Sequence, residues 1–116
     1  MITFITHMRV KLENAAAMDA ILAEMCAKVR AHEPGVAYYG FARDAKEQER
    51  YVVIEVYRDE AAFLAHGQTD YIKALLPQSA ALVEQGKFDI RQYVSAGTSP
   101  VHALLAEDGV RSRTQD

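Results

Sequence analysis

Within EVYRDEAAFLAHGQTDY, residues 55–71, five side chains have the types and spacing to do chemistry. Glu55 and Tyr57 are two apart near the end of an apolar alternating run, so both point to one side of a strand. His66 lies seven residues beyond Asp59, beside Gly67, and Phe63 and Tyr71 flank it in sequence. Histidine titrates near neutrality and suits a proton acceptor or relay. Tyr57 is placed to orient a ligand hydroxyl, and Glu55 to fix a neighbouring donor. Each residue also has a plainer reading. His66 would hydrogen-bond the broken turn at Gly67, Glu55 would pair with Arg9 or Arg91 across the sheet, and Phe63 and Tyr71 would be core. For Glu55 and the two aromatics the plainer reading carries more weight; for His66 the two are level.

No metal site is expected. His7, His32, His66 and His102 are dispersed and lack the short ligand spacings of zinc or non-haem iron sites. Cys26 is the sole cysteine, which excludes an internal disulfide framework and fits a reducing cytoplasm. It falls near the apolar stripe of a helix and reads as a small hydrophobe. No glycine-rich phosphate loop is present, so nucleotide-like cofactors gain no support.

These residues must be positioned by one small domain. The chain has 116 residues, 50% of them hydrophobic and 25% charged, with a formal charge of −3 and scattered basic residues. That argues against a nucleic-acid surface. No apolar run approaches the ~20 residues that span a bilayer, and the N-terminus lacks the features of a signal peptide. A cytoplasmic protein is expected.

Period-two alternation predicts strands over residues 2–10, 36–43, 50–58 and 88–95. Met18, Ile21, Leu22, Met25 and Val29 recur at helical spacing, predicting a helix capped at Asn14 and running to about His32 before Pro34-Gly35 stops it. A short helix is expected over 60–66 and a longer one over 71–84, kinked or restarted at Pro77. The order β-α-β-β-α-β is that of a ferredoxin-like α+β domain with an antiparallel sheet, here residues 1–95. Residues 96–116 form a C-terminal tail with room for a short helix at 101–106.

Such a sheet has helices on one face only. Alternation groups Phe4, Val52, Ile54, Val56, Phe88, Ile90 and Val94 on an apolar side. The other, mixed side receives Thr3, Ile5, His7 and Arg9 with Tyr51, Val53, Glu55 and Tyr57 and with Asp89, Arg91 and Tyr93. Tyrosine and arginine favour interfaces, so Tyr51, Arg91 and Tyr93 are assigned to a homodimer contact.

The stretch YVVIEVYRDEAAFLAHGQTDYIKALLP resembles the antibiotic biosynthesis monooxygenase family of dimeric α+β barrel proteins. The shared features are a strand ending Glu-x-Tyr, a small helix with Glu-Ala, a histidine, an aromatic some five residues later, and the Lys-Ala-Leu-Leu-Pro run. The resemblance extends over about residues 2–93. It implies a homodimer with a pocket in each protomer between sheet and helices. It also implies a cofactor-independent monooxygenation of a quinol or polyketide-like aromatic, with neither metal nor flavin. In that scheme His66 is base or relay, Tyr57 positions the substrate, Phe63 and Tyr71 wall the pocket, and Glu55 contributes to substrate binding. The family's haem-degrading branch is disfavoured, since residues 71–76 contain no histidine and the first strand no asparagine. Two alternatives stay open: a non-catalytic dimer that binds a small ligand or stabilises a partner, and a cofactor-free isomerase of a sister barrel family.

Overall fold

The computed structural model describes residues 1–95. Strand β1 (Ile2–Arg9) leads through a 3-10 turn into helix α1 (Ala15–His32). Strands β2 (Val36–Arg43) and β3 (Arg50–Tyr57) form a hairpin, followed by α2 (Glu60–Gly67), α3 (Asp70–Leu82) and β4 (Asp89–Val94). The four strands make one antiparallel sheet in the order β2-β3-β1-β4. This is the ferredoxin-like α+β arrangement expected from the element order.

Local chemistry explains most boundaries. The Asp59 carboxylate accepts from the Ala62 N–H at 2.8 Å and opens α2, and the Thr69 hydroxyl accepts from the Ile72 N–H at 3.3 Å to open α3. Asp44 accepts from the N–H groups of Lys46 and Glu47 and closes the charged β2–β3 turn. Asn14 precedes α1 but makes no side-chain cap bond. Proline 77 does not restart α3, which runs from Asp70 to Leu82 as a single helix with Pro77 inside it. The proposed helix at 101–106 falls outside the described residues.

The helices cover one face of the sheet. Its core is Met8, Val10, Met18, Leu22, Tyr51, Val53 and Val83, extended by Met25, Val29 and Leu75 between α1 and α3. Each such apolar side chain contributes about 1.5–3 kcal/mol by leaving water.

The register corrects the expected faces. Phe4 pairs with Glu55, Met8 with Tyr51, and Ile2 with Tyr57. Directly paired residues share a face, so Tyr51, Val53, Glu55 and Tyr57 point to the helices with Phe4. Val52, Ile54 and Val56 point to the open side, with Ile5, Arg91 and Tyr93. Tyr51 is only 1% exposed; it is a core residue and does not reach a contact on the open face. The inversion is confined to β3, whose two sides are both largely apolar, so alternation alone cannot tell inward from outward.

Candidate functional site

The end of β3 is met by three other segments. Glu33 follows α1, and the Pro34-Gly35 turn sends the chain back into β2. Gly35 lets β2 and α2 approach closely: a Cβ at this position would lie 2.7 Å from the Ala62 Cβ. The backbone N–H of Arg58 donates to the Gly35 carbonyl at 2.9 Å. The carbonyl of His66 is held by the hydroxyl of Thr69 at 2.8 Å. These contacts fix His66 against Glu33.

His66 is buried, and its Nδ1 lies 2.9 Å from Oε2 and 3.1 Å from Oε1 of Glu33. The Tyr71 hydroxyl donates to the same Glu33 carboxylate. The imidazole packs between two phenol rings, with centroids 5.4 Å away for Tyr39 and 5.7 Å for Tyr57. Tyr57 in turn donates to Glu55 at 2.5 Å. Two carboxylates, one imidazole and three phenols thus share the region where β2, β3, α2 and α3 meet the end of α1.

Burial dominates the electrostatics. It raises the Glu55 carboxyl above its ordinary 4.5; the Tyr57 hydrogen bond and His66 oppose the rise, while Glu33 adds to it. Burial, followed by the charge of Glu55, pushes the Tyr39 and Tyr57 phenols far up. Tyr71 is pushed up to about 12 by burial and by its bond to Glu33. These phenols therefore serve as hydrogen-bond donors at neutral pH, and proton acceptance falls to the carboxylates and the imidazole.

A cavity of about 360 Å³ lies between the sheet and helices α1 and α3. Glu55 is the ionisable carboxylate in its lining, with Tyr39, Thr6 and Ser79 as other polar groups. Met8, Met25, Ile72, Leu76 and Phe88 supply apolar walls. His66, Tyr57, Phe63 and Tyr71 are not part of this lining. Tyr57 and His66 stand behind it, while Phe63 stacks on Phe4 at 4.7 Å and meets Tyr57 edge-on at 5.4 Å. A hollow of about 510 Å³ lies elsewhere, among exposed Lys11, Glu13 and Gln85.

The expected partners of Glu55 are absent from it. Arg9 pairs with Glu47 and Glu49, and Arg91 with Asp89. Among the described residues Glu55 makes no ion pair with lysine or arginine. The sequence does not mark Glu33 or Tyr39 as a site residue. The only sequence signal for Glu33 is an acid directly before a Pro-Gly helix stop, and for Tyr39 a tyrosine pair in an alternating strand.

The ferredoxin-like fold, with an apolar cavity between sheet and helices, is that of α+β domains of the antibiotic biosynthesis monooxygenase type. The profile of that family, described as antibiotic biosynthesis monooxygenase, matches residues 1–78, and the chain belongs to it. A provisionally assigned antibiotic biosynthesis monooxygenase from Caulobacter crescentus CB15 is 29% identical, with a TM-score of 0.76 over 82% of this chain and 89% of that one. An antibiotic biosynthesis monooxygenase at 25% identity has a TM-score of 0.74, covering 83% of this chain and 99% of that one. A conserved protein from Methanosarcina mazei Go1, at 19% identity, shares the fold with a TM-score of 0.74 over 82% of this chain and 92% of that one. No curated protein matches the chain. Among the described residues no helix is long and apolar enough to cross a membrane, and no group of three metal-ligating side chains occurs.

Proposed function

We propose that the protein is a monooxygenase acting on a neutral, electron-rich hydroxyarene such as a quinol, bound in the cavity with a hydroxyl on Glu55. The observation that carries this reading is the cavity itself: a mostly apolar chamber whose lining carboxylate is half-buried and makes no ion pair with lysine or arginine among the described residues. Such a carboxylate is a better proton acceptor than an exposed one, since burial disfavours its charge. Removing the hydroxyl proton leaves an arene anion rich enough to give one electron to dioxygen. The resulting arene radical and superoxide combine at a ring carbon as a hydroperoxide. Loss of water then leaves one oxygen atom as a carbonyl and sends the other to water. The electrons come from the substrate, so this scheme calls on no metal or flavin. Tyr39 is the donor best placed to orient the substrate, and Tyr57 holds the Glu55 carboxylate.

These positions differ from the roles that the resemblance implies. Glu55 takes the base position in this scheme, and His66 and Tyr57 act from behind the wall rather than on the substrate. A homodimer closing the open face over Ile5, Ile54 and Val56, with Arg91 and Tyr93 at its edge, belongs to the same reading, as does a reducing cytoplasmic setting for Cys26.

The test is aerobic incubation with hydroquinones and naphthols, following oxygen uptake and incorporation of labelled oxygen. Uptake above the buffer rate, with one labelled atom per product, is expected. A rate never above buffer across the panel overturns the oxygenase reading. Saturable binding of the same compounds without uptake would instead establish a non-catalytic binding module, which the apolar lining would also serve.

A further inference from the structure

Glu33 and Glu55 lie on opposite sides of one wall. Glu55 lines the cavity between sheet and helices. Glu33 lines a second hollow of about 260 Å³, with Cys26, Arg30 and Val36. Tyr39 borders both. Between the two carboxylates stand the Tyr57 and His66 rings, with Tyr57 bonded to one acid and His66 to the other.

We infer that Glu33 and His66 are positioning residues: the charge they share behind the wall sets how readily Glu55 takes a proton from a ligand in the cavity. This inference rests on the cavity as the ligand site, but not on turnover. An imidazolium paired to Glu33 presents positive charge to the back of Tyr57, and through it to Glu55. A neutral imidazole leaves Glu33 and Glu55 as two like charges in one buried region, each disfavouring ionisation of the other. The groups facing His66 are Glu33 after α1, Tyr39 from β2, Tyr57 and Glu55 from β3, and Tyr71 from α3; Cys26 of α1 faces Tyr39. Lysine and arginine make no ion pair with either carboxylate among the described residues; Arg30 shares the hollow of Glu33 and the His32 ring lies 6.2 Å from Tyr71, so His66 is the basic side chain hydrogen-bonded within the cluster. Because Glu33 opens to its own hollow, this pair can exchange protons with water while a ligand fills the cavity.

The test is carbon-13 NMR of the Glu55 carboxyl across a pH titration of the full chain. In the unsubstituted protein the resonance should show two inflections, its own and one coinciding with the His66 ring. In His66→Gln the second inflection should vanish and the Glu55 midpoint should move upward, since a favourable charge is lost. A merely structural role for His66 would lower the melting temperature and leave the Glu55 titration in place. One inflection in the unsubstituted protein overturns the inference, as does an unmoved midpoint in a folded His66→Gln. If His66→Gln does not fold, the two-inflection measurement decides alone. Two inflections with no oxygen uptake would keep this coupling and discard the monooxygenase.

Discussion

Tyr51 and Tyr57 stand six residues apart on the same face of β3, both buried, both donating to a carboxylate. At the Tyr51 end the hydroxyl meets Asp19 at 2.6 Å and the Ala15 carbonyl at 3.3 Å. Asp19 is partly exposed and is also bridged by Arg43 at 3.2 Å. Around it Met8, Val10, Met18 and Val83 fill the space. At the Tyr57 end the acceptor is Glu55, which makes no ion pair with lysine or arginine among the described residues and which borders a cavity. The same donor–acceptor pair is thus a fastening at one end and, in the proposed reaction, the seat of the base at the other. What separates them is the neighbouring cation and the empty volume, not the tyrosine.

The largest expected effect is on turnover. Glu55→Gln should lower the rate of oxygen uptake by about 100-fold or more, the range of a positioned general base. Asp19→Asn should leave it within about two-fold. Equal losses in steady-state assays would break the contrast between the two ends.

Stability should show the same asymmetry between the two ends. Tyr57→Phe removes the donor from a half-buried carboxylate that has no ion pair with lysine or arginine among the described residues, and should cost about 2 kcal/mol in urea unfolding. Tyr51→Phe, whose acceptor retains water and Arg43, should cost about 1 kcal/mol. A larger loss at Tyr51 would mean that the filled end, not the cavity end, carries the dependent charge.

The pH dependence sharpens this further. Glu55 has its folded-state value raised above the ordinary 4.5. Its contribution to stability is therefore fully present below 4.5 and is lost as pH rises through the raised folded value. Glu55→Gln cannot lose a proton, so unfolding curves at successive pH values should show the variant gaining on the unsubstituted protein as pH rises past 4.5. A constant difference would refute the shift.

The smallest effect belongs to the surface. Arg9 and Glu49, 3.2 Å apart and both substantially exposed, should change stability by less than about 1 kcal/mol when Arg9→Ala is unfolded in urea. Arg91→Glu should weaken self-association in sedimentation while leaving monomer stability nearly unchanged. A monomer at micromolar concentration before any substitution would remove the open face as an interface.

How far these two ends can be read from sequence differs for a physical reason. The strands, the long helix and the hairpin follow from periodicity, caps and the Pro-Gly stop, all of which act within a few residues. Pro77 is an exception, since α3 accommodates it within one helix. The facing of β3 is not local: Val52, Ile54 and Val56 look as suited to a core as Tyr51, Val53 and Tyr57 until Phe4 is paired with Glu55. His66 stands out by type, but the meaning of its position comes from Glu33, 33 residues away. Glu33 has no periodic or spacing signal that would mark it as a partner. Tyr39 is equally silent, because its importance lies in bordering two cavities.

The close contact at Gly35 carries a consequence for relatives and for engineered variants. With no hydrogen-sized slack between this position and Ala62, a methyl added at 35 has to move a backbone, and α2 carries His66 with it. Sequences that diverge here should therefore change as a pair, an alanine at 35 accompanied by a glycine at 62. In a double-mutant cycle, Gly35→Ala should be damaging alone and substantially relieved by Ala62→Gly, a compensation at two positions that touch neither the cavity nor any ligand in it.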